Sequence, residues 1–172
     1  MEHIKEEVES FSQSMKAFRV KFSREAPFSY TGAVEGAYAK MDKLVSHLKE
    51  IEANAKRFNE LEELFELPVS RYQETISTRK ELYLLKQLWD LRALVEFRFD
   101  DWKTELWASI DTDDLEDRTK KLLKTVRALG QHHQIVKGWQ VYKDIEMMVK
   151  NMTIVLPLVN ELHSPAMRDR HW

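Results

Sequence analysis

Only four glycines and four prolines punctuate this 172-residue chain, and no proline falls between Pro68 and Pro157. Proline breaks a helix and glycine weakens one, so punctuation this sparse lets long helices run. The apolar residues fill that allowance at helical spacing. Ile4, Val8, Phe11, Met15, Phe18 and Phe22 alternate steps of four and three, which sets them on one narrow stripe. Pro27 restricts the residue before it and Gly32 follows, so this helix is expected to end near Ala26. A second stripe through Ala37, Met41, Leu44, Leu48, Ile51, Ala55 and Phe58 is expected to reach Phe65 and stop at Pro68. Such spacing suits antiparallel helices crossing at a shallow angle.

A third helix, expected over about 71–109, would reach about 55 Å if unbroken. One of its stripes is Leu84, Leu88, Leu91, Val95, Phe99, Trp102 and Leu106. Another, through Leu82, Leu85, Trp89 and Phe97, widens the buried face, so this helix should touch neighbours on more than one side. The fourth helix follows the acidic run 111–117, with Thr112 or Asp113 as N-cap and Leu115, Leu122, Val126, Leu129 and Val136 as its stripe. Asp113, Asp114, Glu116 and Asp117 precede Lys120, Lys121, Lys124 and Arg127, the order that complements the helix dipole. Gly130 or Gly138 is expected to end it. The fifth carries Trp139, Tyr142, Ile145, Val149, Met152, Leu156 and Val159 in register across Pro157, which implies a kink or a closely packed restart.

Ser164 and Pro165 form an N-cap and first-turn pair, so a sixth helix should open there and be cut off at Trp172. A helix that short is marginal alone, and the chain is expected to be a fragment of something longer. The fold class that follows is all-α: an elongated bundle of about five long antiparallel helices plus the start of a sixth.

Lys and Arg total 27 against 29 Asp and Glu, for a net charge of −2. That balance gives no electrostatic case for nucleic acid or an anionic membrane as partner. There is no cysteine, which excludes disulfides and thiol chemistry. No apolar run approaches the roughly 20 residues of a membrane span.

Constellations that carry chemistry are missing in turn. The P-loop pattern G-x-x-x-x-G-K-(S/T) is absent, because Gly32 and Gly36 stand too close and Gly130 and Gly138 too far apart. The run from Asp111 resembles a calcium loop, but Glu116 stands where glycine is needed and Leu122 where glutamate is needed. His132 and His133 are adjacent and diverge on a helix, so they cannot grip one metal as an i, i+4 pair would. No catalytic residue, metal ligand or cofactor site is expected. A ligand-binding bundle would need convergent polar groups on the apolar stripes, which are expected to carry almost none.

The segment from Leu156 to Trp172, LPLVNELHSPAMRDRHW, is more specific. It resembles a junction in dynein heavy chains, where L-P-L-(I/V)-x-x-L is followed by a short connector and then R-H-W. Leu156, Pro157, Leu158, Val159 and Leu162 match the first part, and Arg170, His171 and Trp172 the second. Upstream, Leu85, Leu88, Trp89 and Asp90 lie in LLKQLWDL, which is similar to the family's K-x-L-x-x-L-W-D-L, and Trp102 and Trp107 continue the likeness. Before about Leu64 it thins to a helical pattern that many proteins share. LFELPVSRY, from Leu64 to Tyr72, looks closer to axonemal than to cytoplasmic heavy chains.

The resemblance implies that residues 1–66 are a helical neck at the end of the tail and 67–172 the N-terminal part of the linker. The linker is the mechanical element lying across the ATPase ring. On this reading the segment is non-catalytic and transmits the power stroke of microtubule-based movement. Its partners would be the rest of the heavy chain and other tail subunits, in the cytoskeleton of a ciliary or flagellar axoneme. Compliance would sit at Pro68, between Gly130 and Gly138, and at Pro157, where helical hydrogen bonding is interrupted. The alternative is a stand-alone spectrin-like or tethering-type scaffold, which should show an internal repeat; no convincing one is found.

Overall fold

The computed structural model describes residues 2–105 and 109–162. Among them are five α-helices: α1 (Glu2–Glu25), α2 (Val34–Leu64), α3 (Gln73–Thr104), α4 (Thr112–His132) and α5 (Gln140–Leu162). A 3-10 turn, Gln134–Gly138, joins the last two, and no strand occurs among the described residues. The all-α expectation holds. The expected sixth helix, with Arg170, His171 and Trp172, lies outside the described residues, as do Leu106 and Trp107.

Packing sorts the chain into two compact units, Met1–Gln87 and Leu88–Trp172, divided inside α3. That boundary is one of packing and differs in kind from the 66/67 division that the resemblance implies. In the first unit the stripes meet as their spacing predicts. Phe11, Met15, Phe18 and Phe22 of α1 are buried, as is the run from Ala37 to Phe58 on α2. The Phe11 ring packs tilted against Phe58 at 4.9 Å and Phe18 meets His47 edge-on at 4.5 Å, so the two helices run antiparallel. The start of α3 has a neighbour on each side. Arg19 of α1 bonds Thr78 at 3.2 Å and pairs with Glu81, and Arg79 grips Glu52 of α2 with Nη2 at 2.6 Å. Tyr30, before α2, leaves no room for side chains at Gly32 and Gly36: a Cβ there would stand 2.2 and 2.1 Å from its hydroxyl.

In the second unit, α4 and α5 form an antiparallel pair. Thr112 at the start of α4 donates to Asn160 near the end of α5 at 2.7 Å, and Gly130 near the end of α4 abuts Tyr142 near the start of α5. Leu115, Leu122, Val126, Val136, Val141, Tyr142, Ile145, Val149 and Leu156 supply buried side chains. From α3, Leu88, Trp89, Val95 and Phe99 are buried here.

Five expectations are corrected. The second stripe continues not to Phe65 but to Glu62, which is 4% exposed; α2 ends at Leu64, and Phe65 turns off the helix, 45% exposed. The third helix is shorter at each end than 71–109. Its Phe97 is 71% exposed, because a step of eight from Trp89 swings a side chain about 80° around the axis. The N-cap of α4 is Asp111, whose carboxylate accepts from Asp114 N at 3.1 Å; this leaves Thr112 free to bond α5. The helix runs through Gly130 to His132 and closes on a bond from His133 N to Leu129 O at 3.0 Å. Finally, the stripes do carry buried polar groups: Glu62, Thr75, Thr78, Thr112 and Thr119. Three of the threonines turn their hydroxyls back onto the carbonyls of Tyr72, Glu74 and Leu115, the usual way a helix satisfies a buried threonine.

Candidate functional site

No group of three or more metal-binding side chains gathers among the described residues. What the structure does concentrate is polar chemistry where helices turn or are tied together.

The α2–α3 corner, residues 65–72, shows it most clearly. The Leu67 amide returns to the Glu62 carbonyl at 2.8 Å and the Glu66 amide to Glu63 at 3.1 Å, a paired closure that needs a left-handed residue between. Glu66 fills that place with φ 54°, where glycine is usual. Past exposed Pro68 the chain folds back, and the buried Glu62 carboxylate takes the Ser70 amide at 2.8 Å and the Ser70 hydroxyl at 2.6 Å. With the oxygen and nitrogen of its side-chain amide exchanged, which the surrounding acceptors favour, Asn59 donates to Glu62 Oε2 at 3.2 Å and to Ser70 O at 3.1 Å. Tyr72 packs edge-on against Phe11 at 5.3 Å, and its buried hydroxyl finds no hydrogen-bond partner among the described residues. Burial first, and the Glu62 charge second, push the Tyr72 phenol above its ordinary pKa, against a smaller downward pull from the nearby Ser70 side chain, which stands close without the geometry of a hydrogen bond.

The α4–α5 corner is apolar by contrast. Val136, fully buried, plugs the 3-10 turn, which closes through Val136 N to His133 O at 3.1 Å and Trp139 N to Val136 O at 3.0 Å. Gly130 admits Tyr142, whose hydroxyl would stand 2.3 Å from any Cβ there. The Tyr142 phenol is also raised, by burial first and then by Glu146, whose carboxylate lies 3.4 Å away.

Arg92 ties α3 to α5 within the second unit. Its side chain, 15% exposed, bonds Glu96 at 3.1 Å, stands 3.9 Å from Asp144 and lies 5.0 Å over the Trp89 ring. Gln140 steadies Asp144 at 2.8 Å.

The family model described as dynein heavy chain, N-terminal region 2, matches residues 74–172, which begin with α3 and run to the end of the chain. This chain belongs to that dynein heavy chain family. The dynein alpha chain of the flagellar outer arm of Chlamydomonas reinhardtii is 36% identical over 99% of this chain. The ciliary dynein beta chain of Tripneustes gratilla is 36% identical over 98%, and the mouse axonemal dynein heavy chain 17 is 34% identical over 98%. The likeness therefore includes α1 and α2, where the helical pattern alone carried no family signal. The chain spans about 4% of the length of these relatives.

The residues that carry the dynein heavy chain resemblance are of several physical kinds. Leu85, Leu88 and Trp89 are fully buried and Leu156 nearly so, while Asp90 is exposed. Trp102 is half-buried against Phe99, with ring centroids 5.3 Å apart. Leu158 and Leu162 are 56% and 45% exposed, beside exposed Pro157, through which α5 runs on as a helix. Of the expected points of compliance, Pro68 lies in the α2–α3 corner, Gly138 ends the 3-10 turn and Gly130 lies inside α4. Lys120, Lys121, Lys124 and Arg127 are all exposed, as a solvated helix face would be.

Glu62 and Arg92 are the residues that reading the sequence missed. Glu62 could have been found, since it stands four after Phe58 where the four-three spacing calls for an apolar side chain. Arg92 gave no signal, because its partners Glu96 and Asp144 face it only once α3 and α5 pack.

Proposed function

We propose that this chain is a non-catalytic mechanical segment of a dynein heavy chain. It joins the tail to the linker and carries the ATP-driven power stroke of microtubule-based movement. The observation that carries this reading is the family match over 74–172, which falls on helices of 32, 21 and 23 residues. Close-packed helices resist bending, so displacement at one end reaches the other. The relatives named for flagellar outer arm, ciliary and axonemal dyneins support the axoneme of a cilium or flagellum as the site of this work. Its partners are the remainder of the heavy chain and other dynein subunits of the tail, with no nucleic acid, no membrane and no cofactor of its own. Nucleotide hydrolysis belongs to other parts of the parent chain. Where the segment bends, it bends at its corners, 65–72 and 133–139, and at Pro157, which lacks the amide hydrogen that the α5 ladder needs there.

A flexible glycine–serine insertion after Ala93, in mid-α3 of the parent heavy chain, tests this. Microtubule gliding should slow severalfold while ATP turnover persists. Gliding at the unaltered speed would sink the mechanical reading, and loss of turnover alone would move the segment's role to the motor's chemistry.

A further inference from the structure

The α2–α3 corner contains a carboxylate that packing alone does not require. Glu62 occupies a stripe position that a leucine would fill, and is 4% exposed. Burying a charge is costly unless hydrogen bonds compensate it, and here the two shorter ones come from Ser70. The carbonyl of Glu62 holds the near end of the strap by taking the Leu67 amide at 2.8 Å, and its carboxylate holds the far end through Ser70 N and Oγ at 2.8 and 2.6 Å. One residue thus anchors both ends. Between Leu67 and Ser70 the strap is weakly held: Pro68 has no amide hydrogen, and Val69 is 50% exposed.

Two features favour release. Glu66 sits in the left-handed region with φ 54° and would relax if the strap let go. The Tyr72 hydroxyl, buried with no partner among the described residues, would gain water.

We propose that Glu62 is a latch: it locks the 65–72 strap across the α2–α3 corner, and breaking its bonds to Ser70 frees the strap as one local unit while α1, α2 and α3 stay folded. The corner is then stiff when latched and compliant when released, and Pro68 is a hinge only in the second state. The latch holds whether or not the segment bears force.

Residue-resolved hydrogen exchange on the chain tests it. In the unaltered protein, the amides of Glu66, Leu67, Val69 and Ser70 should open with little dependence on low urea, the mark of a local event, while mid-α1 and mid-α2 amides depend on it steeply. Strap amides as urea-dependent as the helix centres would overturn the latch, and this needs no variant. Glu62→Leu keeps the apolar packing and removes the anchor. It should speed exchange at the same strap amides about tenfold and change the helix centres less than about twofold. An unchanged Ser70 amide, or equal acceleration throughout Met1–Gln87, would overturn the proposal. Ser70→Ala, which removes only the hydroxyl bond, should give a smaller rise, of about threefold, at the same amides.

Discussion

The two corners of this chain solve one problem by opposite means. Each returns the backbone between antiparallel helices, yet the first is closed by a buried carboxylate and its donors and the second by a buried valine and a glycine that admits a tyrosine ring. A hydrogen-bonded corner depends on geometry and on every partner being present, and a lost partner leaves a buried group unsatisfied. An apolar corner depends on volume, and a lost methyl leaves a void. The first should therefore open abruptly when a single bond set breaks, and the second should weaken in proportion to what is removed.

Paired truncations give the largest expected effects. Glu62→Ala should destabilise the first unit by about 2 kcal/mol, mainly through the void it leaves on the α2 stripe where Glu62 is buried. Val136→Ala should cost the second about 2 kcal/mol. Urea melts of each variant, read by far-UV circular dichroism, check both. Glu62→Leu should recover most of its loss; if Val136→Thr does as well, the contrast between a polar and an apolar corner is wrong.

A smaller effect sharpens the apolar side. Gly130→Ala brings about 1 kcal/mol of helix propensity but forces a Cβ against Tyr142, and overpacking should win by about 1 kcal/mol. Gly138 has open space where a Cβ would go and ordinary φ, so Gly138→Ala should be neutral or stabilise slightly. Opposite signs in the two melting temperatures confirm that Gly130 serves a close approach and not flexibility.

The smallest effect concerns the two tyrosines. Both phenols are raised above 10.0 in the folded chain, so unfolding favours their ionisation at high pH. The stability they contribute is fully present below that pH and is lost as pH rises through the folded values. Tyr72→Phe should reduce this alkaline loss and, by removing a buried hydroxyl without a partner, raise stability at neutral pH by about 1 kcal/mol or less. Tyr142→Phe should flatten the alkaline loss without the neutral-pH gain, because it gives up the bond to Glu146. Melts at neutral pH and at about pH 11 separate the two.

Much of the architecture was legible from residue order. The four-three stripes located α1, α2, α4 and α5, because a helix buries whatever recurs at its own period. The family was legible in Leu85, Leu88, Trp89 and Leu156, large side chains that the fold buries. The polar corner was not. Glu62 looks like a surface residue until Ser70 folds back on it, and Thr112 looks like a cap until Asp111 takes that place.

The sequence by itself determined that the chain is helical, where most helices begin and end, and which protein family it resembles, since periodicity and short motifs are local properties. Only the tertiary structure decided which polar side chains are buried and what holds the corners. Those outcomes depend on donors and acceptors separated along the chain, such as Arg92 and Asp144, or Thr112 and Asn160, which acquire partners only when distant helices come into contact.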